Sequence, residues 1–257
     1  MKKLSLALVA LLAFSFVGCQ GWLNIDDPDP DPEPEPDPDP EVEAVITLEE
    51  TSATLHSGET YQIQAECEFP ITYTSENEYY ASVSEEGEVT ANFVGSTNIV
   101  LESESDTQTF VVTVEPVSNL YPEPEVEIGA TKEAIIEQFG TPDIDEDETL
   151  GYYNYSENGT MLMVMFDEEG LVYAIAVILD VSFEEELNTF LGERYLYVQE
   201  HEGMKIYING LTLEETSMII GSQILEDQFL MAVYEAYTNE PGEKADVYKA
   251  VMKALGK

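Results

Sequence analysis

A chain of 257 residues with 9 Lys+Arg against 53 Asp+Glu carries a formal charge of −44. Nucleic acid is excluded as a natural partner, because a phosphate backbone is held by clustered lysine and arginine, and electrostatic adhesion to anionic lipid is disfavoured for the same reason. Hydrophobic residues make up 44% and aromatics 10%, which supplies one large or two small cores and separates the chain from a disordered acidic polymer. With two His, two Cys and one Trp, few catalytic constellations can be assembled.

The first residues read MKKLSLALVALLAFSFVGC. Two lysines, an apolar run from Leu4 to Val17, a small residue and a cysteine form a secretory signal, with an apolar run too short for a comfortable transmembrane helix. The ending Phe16-Val17-Gly18-Cys19 resembles a bacterial lipobox, with Phe16 in place of the usual leucine. The resemblance implies cleavage after residue 18 and lipidation of Cys19, and hence a permanent membrane anchor. The acidic stretch after Cys19 is similar to that of lipoproteins displayed on the cell surface, which points to the outer membrane.

Residues 26–43, DDPDPDPEPEPDPDPEVE, alternate acid with proline. Proline fixes φ and pushes the preceding residue to the extended region, so a polyproline II rod follows, stiffened by like-charge repulsion. The thirteen residues from Pro28 to Pro40 reach roughly 40 Å at 3.1 Å each. The run is read as a stalk, against the plainer reading of a linker with no role. Its carboxylates splay along an open helix and cannot converge on one calcium ion.

Residues 44–116 consist of short β-branched and aromatic runs separated by turn signals: Ser57-Gly58, Ser75-Glu76-Asn77, Glu86-Gly87, Gly95-Ser96 and Ser105-Asp106. Tyr61, Ile63, Ala65 and Cys67 alternate with polar residues, as do Phe110, Val112 and Val114, the pattern of half-buried strands. About seven strands of this kind make a small sandwich. The stretches LHSGETYQIQAE and ITYTSENEYYASVSEEGEVTANFVGSTNIVLES resemble a group 2 bacterial Ig-like domain, with Tyr73, Ala81, Val83, Gly87, Gly95 and Ile99 at the family's marked places. Tyr73 stands where the family usually has tryptophan. The resemblance implies a fold; it leaves function open, since such modules act as spacers, adhesin units and glycan-side appendages.

After a proline break at 117–124, residues 125–257 change pattern. Thr131 is placed to cap a helix through Phe139 that Gly140 stops. Extended runs YYNY, MLMVMF and LVYAIAVIL follow, with turns at Glu157-Asn158-Gly159 and Asp167 to Gly170. A second helix is expected to open at Ser182, with Glu185 completing a capping box, and to stop near Gly192. The runs RYLYVQE, MKIYIN, TSMIIGSQI and FLMAVYEAY follow it. Phe139-Gly140 with Tyr153, Tyr155, Gly159 and Met161 parallels Phe190-Leu191-Gly192 with Tyr195, Tyr197, Gly203 and Met204, suggesting a repeat offset by about 42 residues. Ile128-Gly129, the helix, Phe139-Gly140-Thr141-Pro142, an aromatic strand and the turn from Phe166 to Gly170 resemble the small outer-membrane assembly lipoproteins and the tandem β-lactamase-inhibitor-protein-like fold. That resemblance implies protein binding without chemistry. Val247, Tyr248, Val251, Met252 and Leu255 form one face of a terminal helix, with Lys244, Lys249, Lys253 and Lys257 around it.

Chemistry is thin. After lipidation Cys67 has no partner for an internal disulfide, and a Cys67–His56 nucleophile pair is outweighed by a buried thiol acting as a small hydrophobe. His56 and His201 make no zinc set by spacing. Asp143, Asp145 and Asp147 match three liganding positions of a calcium loop, but Glu148 replaces the needed glycine and Asn154 the terminal glutamate, so a solvated acidic loop is the stronger reading.

The expected organisation is multidomain: signal peptide 1–18, acidic proline-rich linker 19–43, an all-β Ig-like sandwich 44–116, and an α+β domain 125–257 of helices on an antiparallel sheet in two similar units. The expected function is a lipid-anchored, non-catalytic binding or adhesion module of the cell envelope without metal or cofactor. Its Ig-like domain is read as a spacer and its C-terminal domain as the recognition unit. Tyr152, Tyr153, Tyr155, Tyr195 and Tyr197, with Tyr173 and Tyr207, are the candidate contact residues for a protein or glycan, since aromatic rings suit either. The competing reading is that these tyrosines cover the core. The alternatives are a carbohydrate-binding accessory lipoprotein and an envelope-assembly or inhibitor protein.

Overall fold

The computed structural model describes residues 43–201 and 203–237. The signal peptide, Cys19, the acidic rod and the terminal helix expected from the sequence lie outside the described residues. The described chain is mostly β, and none of its helices is long and apolar enough to cross a membrane.

Nine short strands come first: β1 (Thr47–Leu48), β2 (Ser52–His56), β3 (Thr60–Gln62), β4 (Ala65–Glu66), β5 (Thr72–Ser75), β6 (Ala81–Val83), β7 (Glu88–Ala91), β8 (Gly95–Ser103) and β9 (Asp106–Glu115). They pair as β2-β9-β8-β5 and β3-β7-β6, with β1 and β4 as a separate two-stranded pair. β2 runs parallel to β9. The alternation seen in the sequence is the cause: Ile63, Val89, Ile99, Leu101, Phe110, Val112 and Val114 point inward to one apolar core, and Tyr61, Ala65 and Cys67 pack at its margin. Gly95-Ser96 opens β8 and is not a turn, contrary to the sequence expectation.

Two glycines of this sandwich are fixed by rings above them. A Cβ on Gly87 would lie 2.8 Å from Tyr73 Cζ, and one on Gly95 would lie 2.3 Å from Tyr80 Cε1. Both glycines also have positive φ, 80° and 149°, a second reason why a side chain is strained there.

The remaining elements are α1 (Lys132–Phe139), β10 (Ile144–Glu146), β11 (Thr149–Tyr152), β12 (Met161–Phe166), β13 (Val172–Asp180), α2 (Glu184–Gly192), β14 (Leu196–His201), β15 (Met204–Ile208), β16 (Met218–Leu225) and β17 (Phe229–Ala236). Thr131 caps α1 as expected, accepting from Ala134 N at 3.4 Å, and Gly140 ends it. The second helix departs from expectation. A 3-10 turn, Val181–Phe183, precedes α2, and its cap is Asp180, whose carboxylate accepts from Ser182 N at 2.9 Å. Aspartate outcompetes the serine here because its charged oxygen is a better acceptor at a helix start.

The eight strands form one antiparallel sheet in the order β10-β11-β12-β13-β17-β16-β15-β14. A helix followed by a four-strand meander therefore occurs twice, and the last strands of the two meanders pair with each other. The repeat offset is larger than the sequence pairing suggested: 52 residues from Lys132 to Glu184 and 57 from Val172 to Phe229. Tyr153 follows β11, whereas Tyr195 precedes β14, so the matched tyrosines are not equivalent. The aromatic alignment misled because YYNY is mostly turn, and the strand it obscured is β10. Ile135, Leu187, Phe190 and Leu191 of the helices share a core with Leu162, Val164, Ile175, Val177, Ala232 and Tyr234 of the sheet.

Candidate functional site

The site begins at the end of α2, where Glu193 and Arg194 are buried to 6% and 8% exposure. Their charges meet at 2.6 Å. A buried ion pair persists only when most of its remaining donors and acceptors are matched, and here all but Arg194 Nε are. Glu193 accepts from Val117 N at 2.7 Å and Ser118 N at 3.0 Å. Arg194 donates to Phe190 O and Ser118 O, both at 3.1 Å, and its guanidinium lies 3.8 Å from the centre of the Phe190 ring.

This pair fastens residues 117–121, which the sequence presents as a plain break. Leu120 and Tyr121 are core residues at 0% and 3% exposure. The Tyr121 ring packs 4.3 Å from that of Phe190, and its hydroxyl meets the Tyr234 hydroxyl at 2.8 Å. Burial pushes both hydroxyls well above the ordinary phenol range. The sandwich is fastened at the same place: Val94 N donates to Glu193 O at 2.8 Å and the Tyr79 hydroxyl to Arg194 O at 2.7 Å. The described residues accordingly fall within one compact unit.

A cleft of about 650 Å³ opens beside this junction. Residues 75–80 and Val94 line one side, and Glu123, Arg194, Tyr195 and residues 209–211 with Glu215 line the other. Four carboxylates, two asparagine amides and three tyrosines face it, so it offers acceptors, donors and rings in one space. The Arg194 Nε atom is buried and has no hydrogen-bond partner. It lies 3.7 Å from Glu123 Oε2, within ion-pair range and beyond hydrogen-bond range. The Tyr195 hydroxyl donates to Glu123, and burial followed by the Glu123 charge drives its pKa far upward.

The sequence-chosen tyrosines do not share one exposed face. Tyr152 is core at 7% exposure, and Tyr207 is likewise buried. Tyr155 is half-buried and donates to Pro122 O at 3.0 Å, its pKa pushed up to about 12 by burial and then by Glu125 and Glu123. Tyr173 is half-buried against the sheet, and Tyr195 belongs to the cleft. Tyr153 and Tyr197 are exposed at 53% and 51%, with Tyr197 edge-on to Tyr207 at 5.5 Å. The strand pattern marked aromatic positions without telling inward from outward, because tyrosine suits both.

His56 and Cys67 are not brought together: His56 Nδ1 contacts Glu115 O at 3.0 Å, and Cys67 Sγ contacts Ser103 Oγ at 3.4 Å. His201 is exposed in β14. The acidic run after Asp143 is a hairpin, not a loop. Asp143 accepts from Tyr153 N at 2.7 Å and Asp145 pairs with Lys132 at 2.7 Å, so these carboxylates have separate partners. Among the described residues no three His, Cys, Asp or Glu are grouped to hold a metal ion.

No curated protein matches the chain. Among solved structures, the S-layer protein SbsC is similar at 13% identity over 77% of this chain and 22% of its own, with a TM-score of 0.26. The intimin of EHEC O157:H7, as a mutant, is similar at 12% identity over 75% of this chain and 98% of its own, with a TM-score of 0.23. These scores are too low to carry an argument, and the chain spans about a fifth of the first structure. Residues 44–115 match the family model of the bacterial Ig-like domain (group 2), so a domain of that family is present in the chain.

Proposed function

We propose that this chain is a lipid-anchored, surface-displayed, non-catalytic binding protein whose ligand site is the cleft between the Ig-like sandwich and the eight-stranded sheet. One observation carries the reading: the cleft gathers Tyr79, Tyr80 and Tyr195 with four carboxylates and two asparagine amides in one space. Rings beside paired donors and acceptors suit a sugar, which stacks one face and shares its hydroxyls. Four carboxylates repel acidic sugars, so the ligand is a neutral oligosaccharide. The sandwich then serves as one wall of the site in addition to being a spacer. The lipobox-like run ending at Cys19 and the acidic proline rod support display away from the membrane.

Calorimetry of the mature chain against neutral and uronic-acid oligosaccharides tests the ligand class. Millimolar binding confined to the neutral set is expected, and binding confined to the acidic set overturns it. Incorporation of labelled palmitate that disappears in Cys19→Ser tests the anchor.

A second reading, a protein partner, is favoured by β14. It is an edge strand exposing Tyr197 and Val198 at 51% and 47%, a place where a partner strand can add. Crosslinking in intact cells would then trap a defined protein through β14.

A further inference from the structure

A protease of the trypsin class reads the residue before the scissile bond through a carboxylate at the bottom of its pocket, so it needs a lysine or arginine there. That residue must also leave any helix or sheet and lie extended in the protease, so a folded chain is cut only where it opens locally. The first demand fails in the sandwich and the second in the eight-stranded sheet and its helices.

No lysine or arginine stands between Lys3 and Lys132. The proline-rich run and the whole Ig-like sandwich therefore lack a bond of this class in any conformation. Turns are where nicking concentrates. Here they carry glutamate, as in Ser84-Glu85-Glu86-Gly87 and, in the second sheet, Asp167-Glu168-Glu169-Gly170.

The described cations are Lys132, Arg194 and Lys205, and each is tied down. Lys132 opens α1, and its ammonium reaches Asp145 Oδ1 at 2.7 Å and Glu146 O at 2.6 Å. Arg194 is buried after α2, its guanidinium held by Glu193, Phe190 O and Ser118 O and its backbone oxygen by the Tyr79 hydroxyl. Lys205 lies in β15 between β14 and β16, and its ammonium donates to Asn188 Oδ1 at 2.7 Å. Drawing any of the three into a protease breaks a helix start, a buried ion pair or an interior strand. Apolar side chains are placed differently. The segment between β15 and β16 exposes Leu211 and Leu213 at 38% and 56%, with Thr212 exposed between them.

We propose that this placement of cations makes the folded chain refractory to proteases that cut after lysine or arginine, while leaving it open to proteases that cut after large apolar residues. The protection is a matter of which side chains reach the loops, distinct from rigidity of the loops themselves. It does not depend on what the cleft binds.

The test incubates the folded mature chain with trypsin and, separately, with chymotrypsin, and identifies the fragments by mass. Trypsin is expected to leave Glu43 to Tyr237 in one piece, and chymotrypsin to cut after Leu211 or Leu213. In Thr212→Lys, trypsin should cut after position 212 about a hundredfold faster than it cuts the parent anywhere between Glu43 and Tyr237. Thr212→Gln, similar in length but uncharged, should resist trypsin as the parent does. Cleavage of the parent after Lys132, Arg194 or Lys205 at the rate of the lysine variant overturns the proposal, and so does cleavage of the glutamine variant at that rate. Resistance of Thr212→Lys to trypsin, or of the parent to chymotrypsin, also contradicts it, because protection would then come from rigidity.

Discussion

Glu193 and Arg194 are two adjacent residues that the sequence does not distinguish from any other Glu-Arg step, and they hold three parts of the molecule. Glu193→Ala removes the acceptor for two backbone amides and leaves the buried Arg194 charge only its longer, 3.7 Å pairing to Glu123. A loss of about 3–5 kcal/mol is expected from urea unfolding, as for other broken buried pairs. Tyrosine hydroxyls set the alkaline limit. Tyr121, Tyr195 and Tyr234 have pKa values raised by burial, so they hold their protons more tightly folded than unfolded. Their stabilising contribution is complete below the ordinary phenol pKa of about 10 and is lost as pH rises above it. Thermal midpoints should be flat from pH 7 to 9 and fall steeply beyond 10, with phenolate absorbance rising in step with unfolding. Ionisation of these rings without loss of structure would contradict their burial.

At the scale of elements, α1 was readable because its signals are local: Thr131 at the start, Gly140 with φ of 85° at the end. The sandwich was readable because alternation at period two leaves few other folds for β-branched runs. Three features were not. The expected cap at Ser182 is replaced by Asp180, which caps the 3-10 turn leading into α2, because two good capping residues stand two apart and only tertiary placement of β13 decides between them. The β10–β11 hairpin hid inside an acidic run whose polar residues mask strand propensity. The cleft is made by residues more than a hundred positions apart, such as Tyr79 and Arg194, and no window of sequence contains it. The corrected cap is testable. Asp180 has a lowered pKa, caused first by the Ser182 hydroxyl and then by the Ser182 backbone amide. Its contribution is therefore present above the ordinary aspartate pKa and fades as pH falls through the lowered value. Asp180→Ala should lower the thermal midpoint at pH 7 and lose this effect in acid, whereas Ser182→Ala should cost less. The reverse ranking would restore the serine as the cap.

At the scale of the whole molecule, the charge of −44 is unevenly matched by cations. No Lys or Arg occurs between Lys3 and Lys132, so the carboxylates of the sandwich have no lysine or arginine of their own module to pair with. The ion pairs among the described residues involve Lys132 and Arg194. Self-repulsion of this kind is screened within about 10 Å at 0.1 M salt. Raising sodium chloride from 10 mM to 0.5 M should therefore lift the melting midpoint by several degrees; a fall would show that ion pairing outweighs repulsion. Because the Glu193–Arg194 junction ties the sandwich to the sheet, both should melt in one calorimetric transition.

On the proposed function, recognition belongs to the cleft and not to the exposed tyrosines. It is tested most directly by titrating one neutral oligosaccharide into the mature chain, Glu78→Ala, Glu215→Ala, Tyr153→Ala and Tyr197→Ala. The two cleft variants are expected to raise Kd by about tenfold, equivalent to about 1.4 kcal/mol, while the two tyrosine variants match the parent. Weakening by Tyr153→Ala or Tyr197→Ala, with the cleft variants unchanged, would contradict it.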